Sequence, residues 1–260
     1  MKQSFTQQGR DEMRQALALI GQKCQALISI LDARPYKSRR AREFALQGFG
    51  RRLRTLERCI ENVHRLIPTE SAGLPTEDDR LDATIFLQAF VFNVFGCFDN
   101  LAWVWVLEQD VRDPKRGTEL QPHQIGLSAK HPCVWNSLPQ PFRDYLSSRR
   151  EWFDRLENYR HSLAHRVPLY IPPYQVLTAN LADYERLERE KYAALLAQNF
   201  EELERKEAEQ ESLMSFRPQM KHSFEEHSIP MWFHPQVIAD FHTVEEVVYK
   251  FLEIIDWQKV

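Results

Sequence analysis

Glycine is scarce in this chain, with 8 residues in 260. An all-β fold needs a turn every few residues, and turns draw heavily on glycine. Long stretches rich in Leu, Ala, Glu, Arg and Gln point instead to helices. Paired cysteines are also missing. Cys24, Cys59, Cys97 and Cys133 lie far apart and form no CxxC. Three of them, Cys24, Cys59 and Cys97, sit in apolar helical patterns, as small buried hydrophobes of a reducing compartment do. There is no GxGxxG, Walker loop, GxSxG elbow or HExxH, so nucleotide-fold, serine-hydrolase and zincin readings have no anchor. No excess of positive charge exists either, the formal net charge being -3. The chain as a whole is not a polyanion binder. The N-terminal residues are polar and lack the apolar core of a signal peptide, and the reading is cytoplasmic.

What is present is long-period apolar patterning. Over 11–31 the stripe Met13, Leu17, Ile20, Cys24, Leu27, Leu31 predicts a helix, and over 38–67 Phe49, Leu53, Leu56, Ile60, Val63, Ile67 predict a second. Arg51, Arg58 and Arg65 form a heptad row on the far side of that second helix. It is either a solvated face or an RNA-binding one. Residues 80–109 are apolar nearly all round, which suits the buried centre of a bundle. Gln88, Asn93, Asp99 and Asn100 within that stretch argue against a membrane span. Gly96 offers a point of close approach.

An irregular stretch, 110–139, carries Pro114, Pro122, Pro132 and Pro139 and is long enough to expect a role for it. A fourth helix is expected from 137–139 to about 164, with Phe142, Leu146, Phe153, Leu156 and Leu163 as its stripe. Arg149 and Arg160 occupy the missing stripe positions, so both should face the core. A buried guanidinium needs carboxylates, carbonyls or a ligand. A proline-aromatic segment follows, with Tyr170 and Tyr174, and then a charged fifth helix over 179–214, about 50 Å long at the standard rise. The last helix is expected over 244–257, opened by a Thr243/Glu246 capping box. The expected whole is one all-α domain over 1–260, a bundle of four to six helices with a long projecting arm. The core spans about 11–168 plus 244–257, and 169–243 is elaboration.

Arg160 stands beside His161 and His165, just ahead of Pro168. A permanent cation beside imidazoles that titrate near neutrality suits phosphoryl chemistry. Arg160-His161-Ser162-Leu163-Ala164-His165 resembles the signature of the HEPN superfamily: Arg, four to six residues beginning with a polar one, then His. The resemblance implies a helical bundle with the motif late in a bundle helix. It further implies a metal-independent endoribonuclease or RNA-binding protein, without cofactor, whose two copies of the motif meet in a homodimer cleft. By the same resemblance Arg160 contacts the scissile phosphate, His165 acts in proton transfer, and His161 orients the site. Val167 stands where HEPN toxins paired with nucleotidyltransferase antitoxins carry a Tyr. The likeness therefore does not extend to that subgroup.

Other readings stand beside this one. Arg160 is alternatively a structural arginine bonded to Asp99 or Asn100, in a non-catalytic interaction protein. His161 and His165 also have metal-ligand spacing, with His222, His227, His234 and His242 as distant further ligands. Tyr170, Tyr174, Trp232 and Phe233 either stack on bases or pack extended segments onto the bundle. The charged fifth helix is read as a solvated or dimer-clasping arm.

Overall fold

The computed structural model describes residues 4–71, 73–223 and 229–255. Helix α1 (Gln7–Asp32) starts at Thr6, whose hydroxyl accepts from the Gly9 amide. It buries Met13, Ile20, Cys24, Leu27 and Leu31 of the expected stripe, with Leu17 partly buried against the core. The second expected helix is present as one rod with an irregular middle: α2 (Arg39–Glu43), a π-helical segment over Phe44–Gly50, then α3 (Arg51–Leu66). Its six stripe residues are all buried.

Helix α4 (Glu77–Glu108) is capped by Thr76, which accepts from Asp79 N, and three acids fill its first turn. It packs against α3, the π segment, α7 and α10, so it is the central helix. By length and composition it could also cross a membrane, and half of that apolar window is buried inside the fold. The α3–α4 crossing encloses polar groups. Arg52 lies across α4 at Gly96, where a Cβ would overlap the guanidinium. It donates to Asn100 Oδ1 at 2.9 Å and to Asn93 Oδ1 at 3.1 Å. Gly48, in the π segment, leaves room for the Asn100 amide. The close approach expected at Gly96 is thus made by a side chain.

The stretch after α4 is a chain of short elements: a bridge between Arg112 and Glu119 turned by Gly117, a 3₁₀ turn over Pro122–Gln124, and α5 (Pro132–Ser137). The expected fourth helix is in fact two, α6 (Gln140–Ser148) and α7 (Arg150–His165). Arg149 forms the break, so it does not face the core. It is exposed, sits by the Tyr145 ring and pairs with Glu246 at 2.8 Å. The α7 segment is fixed from both sides. Trp152 Nε1 donates to Asp240 of the last helix at 2.7 Å, and Phe153 meets Phe98 of α4 edge-on.

The single long arm is likewise corrected. It folds back on itself as α8 (Leu181–Leu196) and α9 (Phe200–Ser212). Gln198 takes φ 55° and Asn199 caps α9 by accepting from Glu202 N. Lys191–Gln210, Glu190–Lys206 and Glu188–Gln210 contacts join the two helices. Strands β1 (Gln175–Val176) and β2 (Met214–Ser215) pair antiparallel at the base of the hairpin. A second small ladder joins β3 (Gln219–Met220) to β4 (Met231–Trp232).

Helix α10 (Phe233–Ile254) begins about a turn before Ile238, far ahead of the expected start. Pro235 falls in its first turn, where a missing N–H costs nothing. Thr243 is therefore mid-helix, donating back to Ala239 O rather than capping, and Glu246 is taken by Arg149. The expected end at 257 lies outside the described residues. Phe233, Val237, Phe241, Val244, Val247, Val248 and Phe251 bury this helix against α1, α3 and α4.

Candidate functional site

Helix α7 stays helical through His165, and that fixes the relation between the motif residues. Five residues on a continuous helix are about 140° apart around its axis. Arg160 and His165 of one chain therefore diverge. Arg160 turns towards α4, its guanidinium 4.7 Å from the centre of the Phe95 ring, a cation–π contact. It is half-buried and donates a hydrogen bond to no described residue. His165 closes the helix and is exposed. His161 lies between them, its Nε2 3.6 Å from Glu157 and its ring 6.1 Å from that of His165.

The two expected partners of Arg160, Asp99 and Asn100, divide. Asn100 is buried and engaged by Arg52, so it is not an Arg160 partner. Its Oδ1 is turned to α3 by the geometry of the α3–α4 crossing. Asp99 is in range of Arg160 electrostatically. Crowding by protein raises its carboxyl pKa, and the positive fields of Arg160, Arg52 and His131 pull it down. Asp99 makes no hydrogen bond or ion pair with a described residue.

Asp99 belongs to an open pocket of about 480 Å³ beside the motif. Phe95, Phe98, Trp135 and Phe153 supply aromatic wall, and the loop 126–131 supplies the facing side. Two motif residues border it from behind: Arg160 stacks on the lining Phe95, and His161 reaches the lining Glu157. The loop is held down by Lys130, which donates to both Glu157 oxygens at 2.7 and 2.6 Å. That bond, and to a lesser degree His161, holds the Glu157 carboxyl below its usual range. Arg150 and Asp154 pair at 3.6 Å on the rim.

His131 is the residue that sequence reasoning missed. Its ring folds onto Gly126, where a Cβ would lie 2.5 Å from ring atoms. Burial lowers its pKa, with Asp99 opposing, so the ring is neutral at neutral pH. Its Nδ1 is 3.2 Å from Ser128 Oγ. The signal in the sequence was the length of the proline-broken stretch, which does not say which side chain turns inward.

The remaining candidates lie elsewhere. Arg51, Arg58 and Arg65 share the exposed face of α3, Arg58 paired with Glu61 and Arg65 with Asn62. No hydrogen bond or ion pair joins them to the pocket among the described residues. His222 meets Asn158 and the Tyr159 ring, His234 meets Ile67 O, and His242 is near Lys23 and Glu245. His227 lies outside the described residues. Among those described, no three His, Cys, Asp or Glu side chains are grouped to hold a metal ion. Tyr174 bonds to Tyr184 of the arm, and Trp232 packs on Phe5, so both act in packing.

No family model matches this chain, and no curated protein or solved structure does so either.

Proposed function

We propose that the C-terminal part of α7 is a phosphate-contacting site acting on RNA without a metal ion, completed by a second copy of the chain as the HEPN resemblance implies. One observation carries this reading. Arg160 is a half-buried guanidinium, stacked on Phe95, whose five N–H groups donate to no described residue. A cation held partly out of water without an acceptor is costly, and a phosphate supplies the missing acceptors in bidentate form. His165, exposed at the helix end, is free to move a proton to or from the departing oxygen. Because the two side chains diverge on one helix, a site using both takes Arg160 from one protomer and His165 from its partner.

The experiment is cleavage of mixed RNA in EDTA by wild type, Arg160→Ala, His165→Ala, and a heterodimer of the two variants. Wild type is expected to cut, and each variant to lose about 100-fold or more. The heterodimer, keeping one intact composite site, should regain a measurable share. An inert wild type, or variants that cut equally well, removes the catalytic reading.

A second reading, a non-catalytic interaction protein in which the motif is structural, draws on a different observation. The tip of the α8–α9 hairpin exposes Tyr192, Leu195, Leu196 and Phe200 together, the kind of apolar cluster that marks a contact surface. On that reading Arg160→Ala lowers the melting temperature and leaves nucleic-acid affinity unchanged.

A further inference from the structure

The pocket beside the motif has a donor–acceptor balance that selects among ligands. Its charged rim is already neutralised: Lys130 with Glu157, and Arg150 with Asp154. Asp99 is the acid of the lining that no described donor satisfies. It shares the lining with four aromatic residues: Phe98 next to it and Phe95 one turn before it on α4, Phe153 edge-on to Phe98, and Trp135 of α5. His131 adds one neutral ring. Its Nδ1 shares a hydrogen bond with Ser128 Oγ in which either atom can be the donor. The site therefore offers aromatic surface and, in Asp99, a two-oxygen acceptor that no described donor occupies.

We propose that this pocket binds the guanine base of a nucleotide, with Asp99 accepting from guanine's N1–H and N2–H, and Arg160 beyond Phe95 receiving the phosphate. Among the four bases only guanine carries two adjacent N–H donors on its pairing edge, the fork that matches a carboxylate. Adenine turns the N1 lone pair towards the same oxygens, uracil flanks one donor with two carbonyls, and cytosine sets an acceptor beside its amino group. Asp99 is exposed in the open pocket; a bound base shields it from water, each mismatch then sets an acceptor against the carboxylate, and sites built on hydrogen bonds reject such analogues strongly. Aromatic rings stack on any base, so the aromatic part of the lining sets affinity rather than choice. A volume of about 480 Å³ accommodates a mononucleotide. Guanine bonding also favours the ionised form of a carboxyl that crowding makes harder to ionise. The placement of the phosphate rests on the reading of Arg160 given above; the choice of base does not.

The test is isothermal titration of the full chain with GMP, AMP, CMP, UMP and spermidine. The same titration is made on Asp99→Asn, with melting curves recorded for both proteins. GMP should bind at least about tenfold tighter than AMP, and Asp99→Asn should lose that preference while keeping its fold. A pentaribonucleotide with one central guanine, set against GMP, separates the two sources. Tighter binding of the strand assigns the base to RNA, equal binding assigns it to a free nucleotide, and both support the guanine site. Equal affinity for GMP and AMP, no saturable binding at about 1 mM, a preference for spermidine, or an unchanged preference in Asp99→Asn overturns it. A protein that cuts RNA without guanine preference loses this inference and keeps the Arg160/His165 site. One that prefers guanine without cutting does the reverse.

Discussion

Two histidines at the junction of α3 and α10 make the folded protein sensitive to mild acid. The rings of His64 and His234 meet edge-on at 4.8 Å. His234 Nε2 lies 2.6 Å from Ile67 O, so that nitrogen carries the proton and donates, while its Nδ1 is buried without a partner. Burial lowers the pKa of His64 to about 4 and that of His234 to about 3, from an ordinary 6.5. The folded state keeps both rings neutral where the unfolded chain protonates them. Their stabilising effect is full above the unfolded pKa and is lost as pH falls from 6.5 towards 4. At pH 5 each ring accounts for roughly 2 kcal/mol of lost stability. Asp240 works the other way. Burial raises its carboxyl to about 6 from 3.8, so the folded state takes up its proton first, returning roughly 1 kcal/mol at pH 5. The three groups together should cost about 3 kcal/mol between pH 7.5 and 5.

His64→Phe isolates one ring, because it keeps an aromatic contact for His234 and removes one titrating group. Unfolding free energies from urea titrations at pH 7.5 and 5.0, for both proteins, give a double difference in which all other carboxylates cancel. Wild type should lose about 2 kcal/mol more than His64→Phe across that interval. Equal losses would refute the burial argument for the pair.

Two further expectations concern the frame of the site. Gly96→Ala places a methyl on Arg52's guanidinium and should destabilise by roughly 1–2 kcal/mol in urea unfolding, because the side chain moves aside and its bonds to Asn100 and Asn93 are lost; a change within about 0.5 kcal/mol would mean that those bonds contribute little. Asn199→Ala removes the α9 cap and should raise amide exchange over Phe200–Ser212 by an amount equivalent to about 1 kcal/mol. Exchange that stays unchanged would show the hairpin to be held by its inter-helix contacts alone.

The apolar stripes of α1, α3 and α4 were legible because burial on one face imposes the helical period directly. Breaks between collinear helices were not. The α6–α7 break falls at Ser148-Arg149, without glycine or proline, and is enforced by tertiary contacts such as Arg149–Glu246. The α8–α9 turn had a local signal, Asn199 followed by Glu202, hidden in a charged run that reads as uninterrupted helix. Thr243 misled, since its residue type suits a helix start, whereas the apolar run of α10 reaches back to Phe233 with Pro235 in the first turn. For the site, the sequence marked Arg160, His161 and His165 but not what surrounds them. Asp99 was visible as a polar residue on an apolar helix and a partner for Arg160, but not as part of a pocket. His131 reaches the pocket through a loop whose path depends on Gly126 and on the Lys130–Glu157 bond, and neither has a local periodicity to read.

The π-helical stretch at Phe44–Gly50 has a consequence for how the chain can vary. Each i→i+5 turn accommodates one more residue than an α turn. Losing a single codon there would let the rod run on as ordinary α-helix, with α3 and its Arg52 contacts left in register. The segment before it would also stay in phase, keeping Ala41, buried in α2, on the core side; the same deletion in a regular α-helix would turn one flank by about 100°. Length changes of one residue should thus be tolerated better here than anywhere in α3 or α4, and homologous chains one residue shorter here should keep apolar residues at the buried positions of both α2 and α3.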